Sequence, residues 1–544
     1  MATDLKGKAP LVDPASNKNL RPTSSRSGRS KADASAAGGT PPLLDMLALA
    51  INREQEATPL YHQVYEALAN GIDRGLLHPG DRLPSTRKLA TELNVSRTTM
   101  VLAFEQLAAE GWIEGQTGTG SFVAAAPPFT EAQRKSRLNP ALEAAGDIGR
   151  AAEMRPEVAQ VPPTLRHMRR PVPFRANLPA IDVFPTELWA RSLTEVLRSL
   201  RGEQAAHILG EGDPQGLFAL REQIAIHAAR TRGLVCSASE VVIFAGAQQA
   251  VDLCSRLLLM PSDKVVCEDP GYDGIYASAV AVSAQPVPAP VDQNGLIVAE
   301  ARKRAPDARM IYTSPSKQFP LGSTLSLKRR IELIEWARET NAWILEDDYD
   351  CEFRYSGKAL PSLFSLDDTQ SVIYLGTFSK SLFPALRLGY AILPKRLVEP
   401  VIAARTVLDR YAAILPQLQV AHFMEAGHFS KHVRRMRKLY ADRQELLLIA
   451  MERDLSGWLI PRRSQTGFEL VASLGPKLTV AGVTAKEVSQ AAQAEGMEVQ
   501  ATSAFARAPL ADDGLILGFA TFTPEQIDTG IRQLSNICQS LARR

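Results

Sequence analysis

The chain has 544 residues, of which 45% are hydrophobic and 22% are charged, a composition typical of globular proteins and a length that exceeds one hydrophobic core. The 62 basic residues are nearly balanced by 59 acidic ones, which excludes nucleic-acid binding through overall charge alone. No apolar run is long enough to cross a membrane, and the five cysteines form no CxxC pair, so we expect no membrane span, no metal site and no disulfide framework.

The N-terminal stretch, residues 1–45, is rich in Ser, Ala, Gly and basic residues and lacks the continuous apolar core of a secretory signal. We therefore expect a disordered tail and a cytoplasmic product.

A compact module is predicted over residues 46–124. Leu60, Val64 and Leu68 are spaced four residues apart, which predicts a first amphipathic helix. Ser85 is a good N-cap for a second helix. The pattern indicates three short helices in all, followed by a two-stranded hairpin.

The third helix of this module carries its most informative residues. Ser96 is its expected N-cap, and the apolar spacing turns Met100 and Phe104 towards the core. Arg97 and Thr98 are then exposed at the helix start, where recognition helices meet bases. Local positive charge, which drives most DNA affinity, comes from Arg82, Arg87, Lys88 and Arg97. A small helical protein-interaction module is the alternative interpretation.

Residues 79–90, Pro-Gly-Asp-Arg-Leu-Pro-Ser-Thr-Arg-Lys-Leu-Ala, together with residues 95–99 and 110–112, resemble the GntR-type winged helix-turn-helix. Val101 stands where some members carry an arginine, which implies one DNA contact fewer. The resemblance implies that DNA is contacted by Arg82, Arg87, Ser96, Arg97, Thr98 and Thr99, and by a wing tip at Gly118, Thr119 and Gly120.

Residues 125–173 contain two Pro-Pro pairs and scattered charges, which predict a linker. Its basic side chains could touch DNA, but a solvated tether is the interpretation we keep; they are Arg166, Arg169 and Arg170, with Arg175 just beyond.

From residue 174 to 544, short β-branched runs alternate with helical patterns, which predicts an α/β domain built on a parallel sheet. The strand runs are residues 241–244, 264–267, 310–312, 342–345 and 372–375. Residues 404–544 indicate a long helical stretch and then a smaller α/β lobe.

The run over residues 376–389 has the chemistry that pyridoxal phosphate needs. Lys380 stands seven residues before Arg387, so an amine for the cofactor aldehyde and a guanidinium for its phosphate follow one strand. Thr377 and Ser379 add hydroxyl groups. The sequence predicts a Schiff base on Lys380 and a phosphate contact from Arg387.

Other strand ends supply the remaining contacts that this cofactor requires. Asp347 would pair with the pyridine nitrogen and Tyr349 would hydrogen-bond the 3'-oxygen, with Asp348 as the alternative acid. A helix start for the phosphate and an aromatic ring to stack on the cofactor come from Ala247, Gln248 and Tyr272.

In order along the chain, Gly-Ala-Gln-Gln, Asp-Pro-Gly-Tyr, Asp-Asp-Tyr-Asp and Phe-Ser-Lys with Arg at +7 resemble fold-type-I aminotransferases over roughly 350 residues. Joined to a GntR-type module, they resemble the MocR family of pyridoxal-phosphate-dependent regulators, whose Glu-Asp-Asp-Tyr-Asp-x-Glu-Phe-Arg-Tyr stands at residues 346–355. The resemblance implies a homodimer that reads two half-sites on double-stranded DNA. It also implies an amine or amino acid-type effector, or pyridoxal phosphate itself as the signal.

Four positions depart from these patterns. Glu211 replaces a tyrosine common in relatives, which implies a weaker phosphate contact from a partner subunit. Lys317 replaces a frequent histidine, and Phe319 stands where aminotransferases use asparagine, which implies poorer catalytic tuning. Relatives that bind a carboxylate effector use an arginine near residues 502–505; here Arg507 is the nearest, so either it substitutes or the effector lacks an ordinary carboxylate.

Two other functions fit the same motifs. A working aminotransferase with an appended DNA-binding module would need the same lysine and acid. A DNA-binding protein whose pocket stays empty is the third interpretation.

Overall fold

The computed structural model describes residues 58–116, 119–125 and 171–543, together with Leu43 and Leu47. The chain divides into two units, Met1–Glu153 and Met154–Arg544. Apart from Leu43, the predicted tail lies outside the described residues, as do residues 126–170 of the predicted linker, including Arg166, Arg169 and Arg170. The limits 46–124, 125–173 and 174–544 stay predictions.

In the first unit, helices α1–α3 precede a β-hairpin; they span Leu60–Asp73, Thr86–Glu92 and Arg97–Ala109, and strands β1 and β2 span Ile113–Gln116 and Gly120–Val123. Both predicted caps are present, since Ser85 Oγ accepts from Lys88 N and Ser96 Oγ accepts from Thr99 N. The core contains Val64, Leu68, Met100 and Phe104 as expected, together with Leu89 and Leu107, whereas Leu60 is half-buried. The predicted α+β winged helix-turn-helix is confirmed.

The second unit contains a large and a small sheet with helices between their strands. The helices α4–α18 span Thr186–Ser199, Gly202–Leu209, Phe218–Arg232, Ala247–Leu258, Asp273–Ala281, Val298–Arg304, Leu327–Thr340, Leu363–Leu366, Phe378–Ser381, Lys395–Leu408, Ile414–Glu425, His428–Leu455, Pro476–Val480, Ala485–Ala494 and Pro524–Ala542. The strands β3–β14 span Val241–Phe244, Lys264–Asp269, Gln285–Asp292, Gly295–Leu296, Met310–Thr313, Trp343–Asp347, Val372–Thr377, Gly389–Ile392, Leu459–Arg462, Glu469–Leu474, Gln500–Ala501 and Gly514–Gly518.

The large sheet has the strand order β3-β10-β9-β8-β7-β4-β5-β6. Strands β9, β8, β7, β4 and β5 are parallel to one another, whereas β10 is antiparallel to β3 and β9, and β6 is antiparallel to β5. Helices cover both faces of such a sheet, and every residue of β3, β7, β8, β9 and β10 is buried. The predicted α/β domain is confirmed, with a mixed and mostly parallel sheet.

The small sheet, in the order β11-β12-β14-β13, is antiparallel throughout. Its core residues Leu470, Ala472, Leu515 and Leu517 belong to the same buried cluster as Tyr374 and Tyr390 of the large sheet. The small lobe is therefore packed firmly on the large one. Within the described ranges, none of the helices has both the length and the apolarity that crossing a bilayer requires.

Candidate functional sites

The start of helix α3 presents a polar surface. Ser96, Arg97 and Thr98 are exposed and Thr99 is half-buried. The hydroxyl of Thr99 lies 2.8 Å from Ser96 Oγ, so these two residues also fix the helix start. Arg87 on α2 is exposed as well, which leaves both guanidinium groups accessible to a nucleic-acid backbone.

The hairpin brings a third arginine to this surface. Arg82 bridges to Phe122 on β2, and its Nε lies 3.4 Å from the point where a Cβ on Gly120 would stand. Gly120 has φ +120°, a conformation that favours glycine, so a side chain there would strain the turn, while its Cβ would only touch Arg82. Thr119 is exposed, while Gly118 lies outside the described residues.

In the second unit, the carboxyl ends of several large-sheet strands surround a cavity of about 270 Å³. The predicted residues that line it are Ala247, Gln248, Tyr272, Asp347, Tyr349, Thr377, Ser379, Lys380 and Arg387. Such strand ends are where open α/β sheets bind ligands. The structure thus brings every residue predicted for the cofactor into one cavity.

The acidic end of the cavity is Asp347, the last residue of β8. Tyr312 OH donates to Asp347 Oδ2 at 2.5 Å, whereas Oδ1 of Asp347 and the hydroxyl of Tyr349 are buried without a hydrogen-bond partner among the described residues. Burial raises the pKa of Asp347 to about 6, and the nearby Asp348 carboxylate raises it further. The Tyr312 hydrogen bond and the Lys380 charge lower the pKa but do not cancel this rise. A cationic or N–H group in the cavity would satisfy this oxygen.

Asp348, the alternative acid, has other partners. Its Oδ2 lies 2.7 Å from Arg232 Nε and accepts from Tyr374 OH at 2.8 Å. Burial alone would raise the pKa of Asp348, but the Arg232 guanidinium, the Arg330 charge and hydrogen bonds from Ser316 and Tyr374 together outweigh burial, so the pKa is lowered. Because Asp348 does not line the cavity, the geometry favours Asp347 as the acid that meets a ligand.

A cradle for an anion lies at the start of α7. Gly246 has φ +107° and makes no side-chain cap, and a Cβ on it would lie 3.6 Å from the Arg387 guanidinium. On Gly389, in β10, a Cβ would come within 3.0 Å of Ala247 N. Two glycines therefore let the helix start and Arg387 approach the same point, an arrangement that suits a phosphate.

Lys380, on the short helix α12, is half-buried and its Nζ donates to Asn177 O at 2.6 Å. Asn177 N donates to Glu469 Oε2 at 2.9 Å, and Lys317 Nζ donates to Glu469 Oε1 at 2.6 Å. We call the path Lys317–Glu469–Asn177–Lys380 the lysine relay. It joins the small lobe, the chain that follows the predicted linker, and the cavity.

Tyr272 forms one wall of the cavity. Its hydroxyl donates to Gln248 Oε1 at 2.8 Å, and its ring stacks with that of Tyr312 at a centroid distance of 6.2 Å. Ser379 N donates to Thr377 Oγ1 at 3.1 Å, which orders the turn before Lys380. The cavity thus has an aromatic face next to its acid and its lysine.

The four departures from the family pattern occupy different places. Glu211 is exposed and pairs with Arg410 at 3.3 Å, and Lys317 is buried in the lysine relay. Phe319 lines the cavity. Arg507 does not line it, although its guanidinium donates at 2.7 Å to Oδ1 of Asp273, which does.

Sequence reasoning missed several residues that line the cavity, among them Asn177, Asp273, Tyr312, Ser314 and Phe505. Tyr312 could have been found, since it lies near the carboxyl end of a strand that was predicted correctly. Asn177 carried no signal, because its contact with Lys380 joins residues 203 positions apart.

Comparisons with known proteins match both units. Residues 60–123 match the family "Bacterial regulatory proteins, gntR family", and residues 188–534 match "Aminotransferase class I and II". The probable rhizopine catabolism regulatory protein MocR of Rhizobium meliloti is 32% identical over 487 residues, which cover 89% of this chain and 95% of that protein. The pyridoxine biosynthesis transcriptional regulator PdxR of Corynebacterium glutamicum is 27% identical and covers 91% of this chain and 99% of its own length.

Among solved structures, the chain is similar to α-aminoadipate aminotransferase of Thermus thermophilus, complexed with N-(5'-phosphopyridoxyl)-L-leucine. The TM-score is 0.64 at 25% identity, and the match covers 72% of this chain and 98% of that enzyme.

Proposed function

The chain belongs to the MocR family, the GntR-type transcription regulators with an aminotransferase-like domain, and we propose that this member carries pyridoxal phosphate on Lys380 to sense a primary amine. One observation carries the proposal. Lys380, the unpaired oxygen of Asp347 and the guanidinium of Arg387 all face the same cavity. These are the three contacts that the aldehyde, the pyridine nitrogen and the phosphate of this cofactor require.

The buried polar atoms support this assignment. A buried acceptor without a partner costs free energy, so the open Oδ1 of Asp347 favours a ligand that donates to it. A protonated pyridine nitrogen is such a donor. Tyr349 OH, also buried without a partner in the described ranges, would donate to the ring oxygen beside the aldehyde.

At the other end, the cradle formed by Gly246 and Arg387 supports a phosphate contact. The first amides of α7 belong to Ala247 and Gln248, and free amides at a helix start stabilise anions. Tyr272 would lie against the ring. The bound cofactor supplies an aldehyde with which primary amines condense reversibly, so that an amine effector can compete with Lys380.

The lysine relay gives this competition a structural consequence. A Lys380 side chain attached to the cofactor cannot keep the Nζ–Asn177 O hydrogen bond with the same geometry, whereas a released one can restore it. Asn177 is three residues after Phe174, the first residue beyond the predicted linker. We propose that the state of Lys380 reaches the linker through Asn177 and Glu469, which is the differential contact that a switch requires.

On DNA, we propose that Arg87 and the residues at the start of α3 contact the duplex, with Thr119, Gly120 and the undescribed Gly118 forming the wing tip. We further propose a homodimer, so that two winged helices read two half-sites. Molar mass by light scattering and footprinting of the operator test this directly: a monomer on a single half-site would contradict it.

The test of cofactor binding is chemical. Incubation with pyridoxal phosphate, reduction with borohydride and peptide mass spectrometry should place one phosphopyridoxyl group on the Lys380 peptide and none there in Lys380→Ala. An unmodified Lys380 peptide, or a label on exposed lysines alone, would refute the proposal. Operator binding measured on the same sample with and without amines then tests the regulatory role.

The second candidate function is amino transfer by the same site. The Asp347–Tyr312 hydrogen bond and the fold shared with α-aminoadipate aminotransferase favour it. Turnover of amino donors to oxo acids at about 1–1,000 per second, the range of ordinary enzymes, would make the chain an aminotransferase with an appended DNA-binding module.

A further inference from the structure

One wall of the Lys380 cavity is aromatic and apolar. Phe319 and Phe505 both line the cavity, and their rings meet edge to face at a centroid distance of 4.8 Å. Behind them lie the buried side chains of Ala176, Val471 and Ile516, which complete a small cluster separate from the main core. A ligand group on this side meets carbon atoms rather than polar partners.

Among the described residues that line the cavity, the basic side chains are Lys380 and Arg387. Under the proposed function both have a role, since Lys380 bonds to the aldehyde and Arg387 holds the phosphate. A carboxylate on the effector would therefore find its negative charge unmatched in the cavity. Asp347 and Asp273, which also line it, are acidic and offer a carboxylate no counter-charge.

Arg507, the nearest remaining arginine, is committed elsewhere. Its guanidinium donates to the buried Asp273 at 2.7 Å and lies 4.3 Å from the centroid of the Tyr276 ring. Its backbone N–H donates to Asp269 Oδ1 at 2.7 Å. Turning Arg507 towards a ligand would break a charge-assisted hydrogen bond to a buried carboxylate. Breaking such a bond costs more free energy than breaking an exposed ion pair.

From these contacts, and resting on the proposed function, we infer that the effector is a primary amine without a carboxylate whose aryl or branched alkyl group packs on Phe319 and Phe505. Burial of an uncompensated carboxylate is strongly unfavourable, whereas burial of apolar area against two phenylalanines is favourable. The same wall that would reject an amino acid therefore selects the corresponding amine.

Matched ligands test this on the full-length protein loaded with pyridoxal phosphate. Phenethylamine, L-phenylalanine and L-phenylalaninamide share one side chain, and the amide keeps the bulk of the carboxyl group without its charge. Titration followed by the cofactor absorbance should give a Kd for phenethylamine about 100-fold below that of phenylalanine. Phenylalaninamide should bind within about 10-fold of phenethylamine, and operator affinity should respond in the same order.

Two outcomes of that titration overturn the inference. Phenylalanine binding as tightly as phenethylamine would show that a cation is available to the carboxylate. Phenylalaninamide binding as weakly as phenylalanine would show that bulk rather than charge decides.

Variants of the wall and of the arginine sharpen the test. Phe505→Arg should bring the Kd of phenylalanine to within about 10-fold of the Kd of phenethylamine. Phe505→Met adds no charge and should keep the preference for the amine. Arg507→Gln combined with Asp273→Asn removes the ion pair without stranding either partner, and should change the ratio of the two Kd values by less than about 3-fold. A selective loss of phenylalanine binding in this double variant would identify Arg507 as a carboxylate ligand and overturn the inference.

Borohydride trapping on the same samples separates this inference from the function on which it rests. A labelled Lys380 peptide together with a preference for phenylalanine contradicts the effector class alone. An unlabelled Lys380 peptide contradicts both.

Discussion

The two units of this chain place their charged groups in opposite ways. In the DNA-binding module, Arg82, Arg87 and Arg97 are exposed and stand on a core of apolar side chains. In the aminotransferase-like domain, Asp347 and Asp348 are buried in the sheet that supports the cavity. Exposed charges contribute little to folding, whereas a buried charge must have a partner.

Function and stability are therefore separable in the DNA-binding module and coupled in the aminotransferase-like domain. Replacing an exposed arginine should change DNA binding and leave the fold intact. Replacing a buried acid or its partner should change the fold and the site together, unless the side chain faces the cavity rather than the protein.

The largest effect is expected at Lys380. In Lys380→Ala no amine remains in the cavity to bond to the cofactor aldehyde, so the response of operator binding to amines should be lost completely. Binding without effector should persist, because the recognition helix belongs to the other unit. Electrophoretic mobility shifts with and without phenethylamine measure both, and Lys395→Ala, which removes an exposed lysine, should behave like the parent. An amine response retained in Lys380→Ala would break the proposed link between this lysine and DNA.

The adjacent acids Asp347 and Asp348 should differ in how much each contributes to stability. Asp348→Asn leaves Arg232 buried without its anion and should lower the free energy of unfolding by about 3–5 kcal/mol. Asp347→Asn breaks no salt bridge among the described residues, since Lys380, whose charge acts on Asp347, also donates to Asn177 O. It should lower the free energy of unfolding by less than about 1 kcal/mol while weakening cofactor binding. Urea unfolding of each variant measures the difference. Equal destabilisation by both would show that the cavity-facing acid is structural.

Arg97 tests whether an exposed arginine of the DNA-binding module affects DNA binding without affecting stability. Arg97→Ala should weaken operator binding by about 1–3 kcal/mol, the range for a residue that reads a base, with an unchanged free energy of unfolding. Arg74→Ala, another exposed arginine just after α1, is the matched control and should bind normally. If both variants bind equally well, the assigned recognition helix is wrong.

The helix caps and the strands could be predicted from the sequence because they depend on residues close together in the chain. Ser85 and Ser96 cap their helices because a cap depends on residues three positions away, and the apolar runs form strands because their periodicity is local. The motif at residues 346–355 placed Asp347 and Tyr349 correctly at the cavity, although their roles in binding the cofactor stay predictions.

Contacts between distant residues could not be predicted in this way. Arg232 pairs with Asp348, and Lys380 with Asn177, only after the sheet has formed. The choice between Asp347 and Asp348 needed the same information, because the sequence does not say which of two adjacent acids at the end of β8 meets Arg232 and which faces the cavity. Tertiary packing, not residue type, made that distinction.

The smallest expected effect is a pH dependence that arises from the buried acids. Burial raises the pKa of Glu268 and of Glu346 to about 7, so near neutral pH the folded chain holds protons that the unfolded chain has released. Stability from these groups is therefore greatest at lower pH and is lost as the pH rises through their folded pKa values. The pKa of His432, which burial lowers to about 4, gives the opposite slope, but only below the ordinary histidine pKa of about 6.5.

Between about pH 6.5 and pH 8, the melting temperature of the aminotransferase-like domain should consequently fall by about 1–3 °C. Glu268→Gln should flatten this dependence, because the glutamine can still accept from Thr313 and Ser314 as the carboxylate does but does not titrate. Differential scanning calorimetry across the range measures the slope, and Glu525→Gln, which removes an exposed acid, should leave it unchanged. A melting temperature that rises with pH in both the parent and the Glu268 variant would mean that these acids are already ionised in the folded chain. The contrast between buried and exposed charge would then have to rest on Arg232 and Asp348 alone.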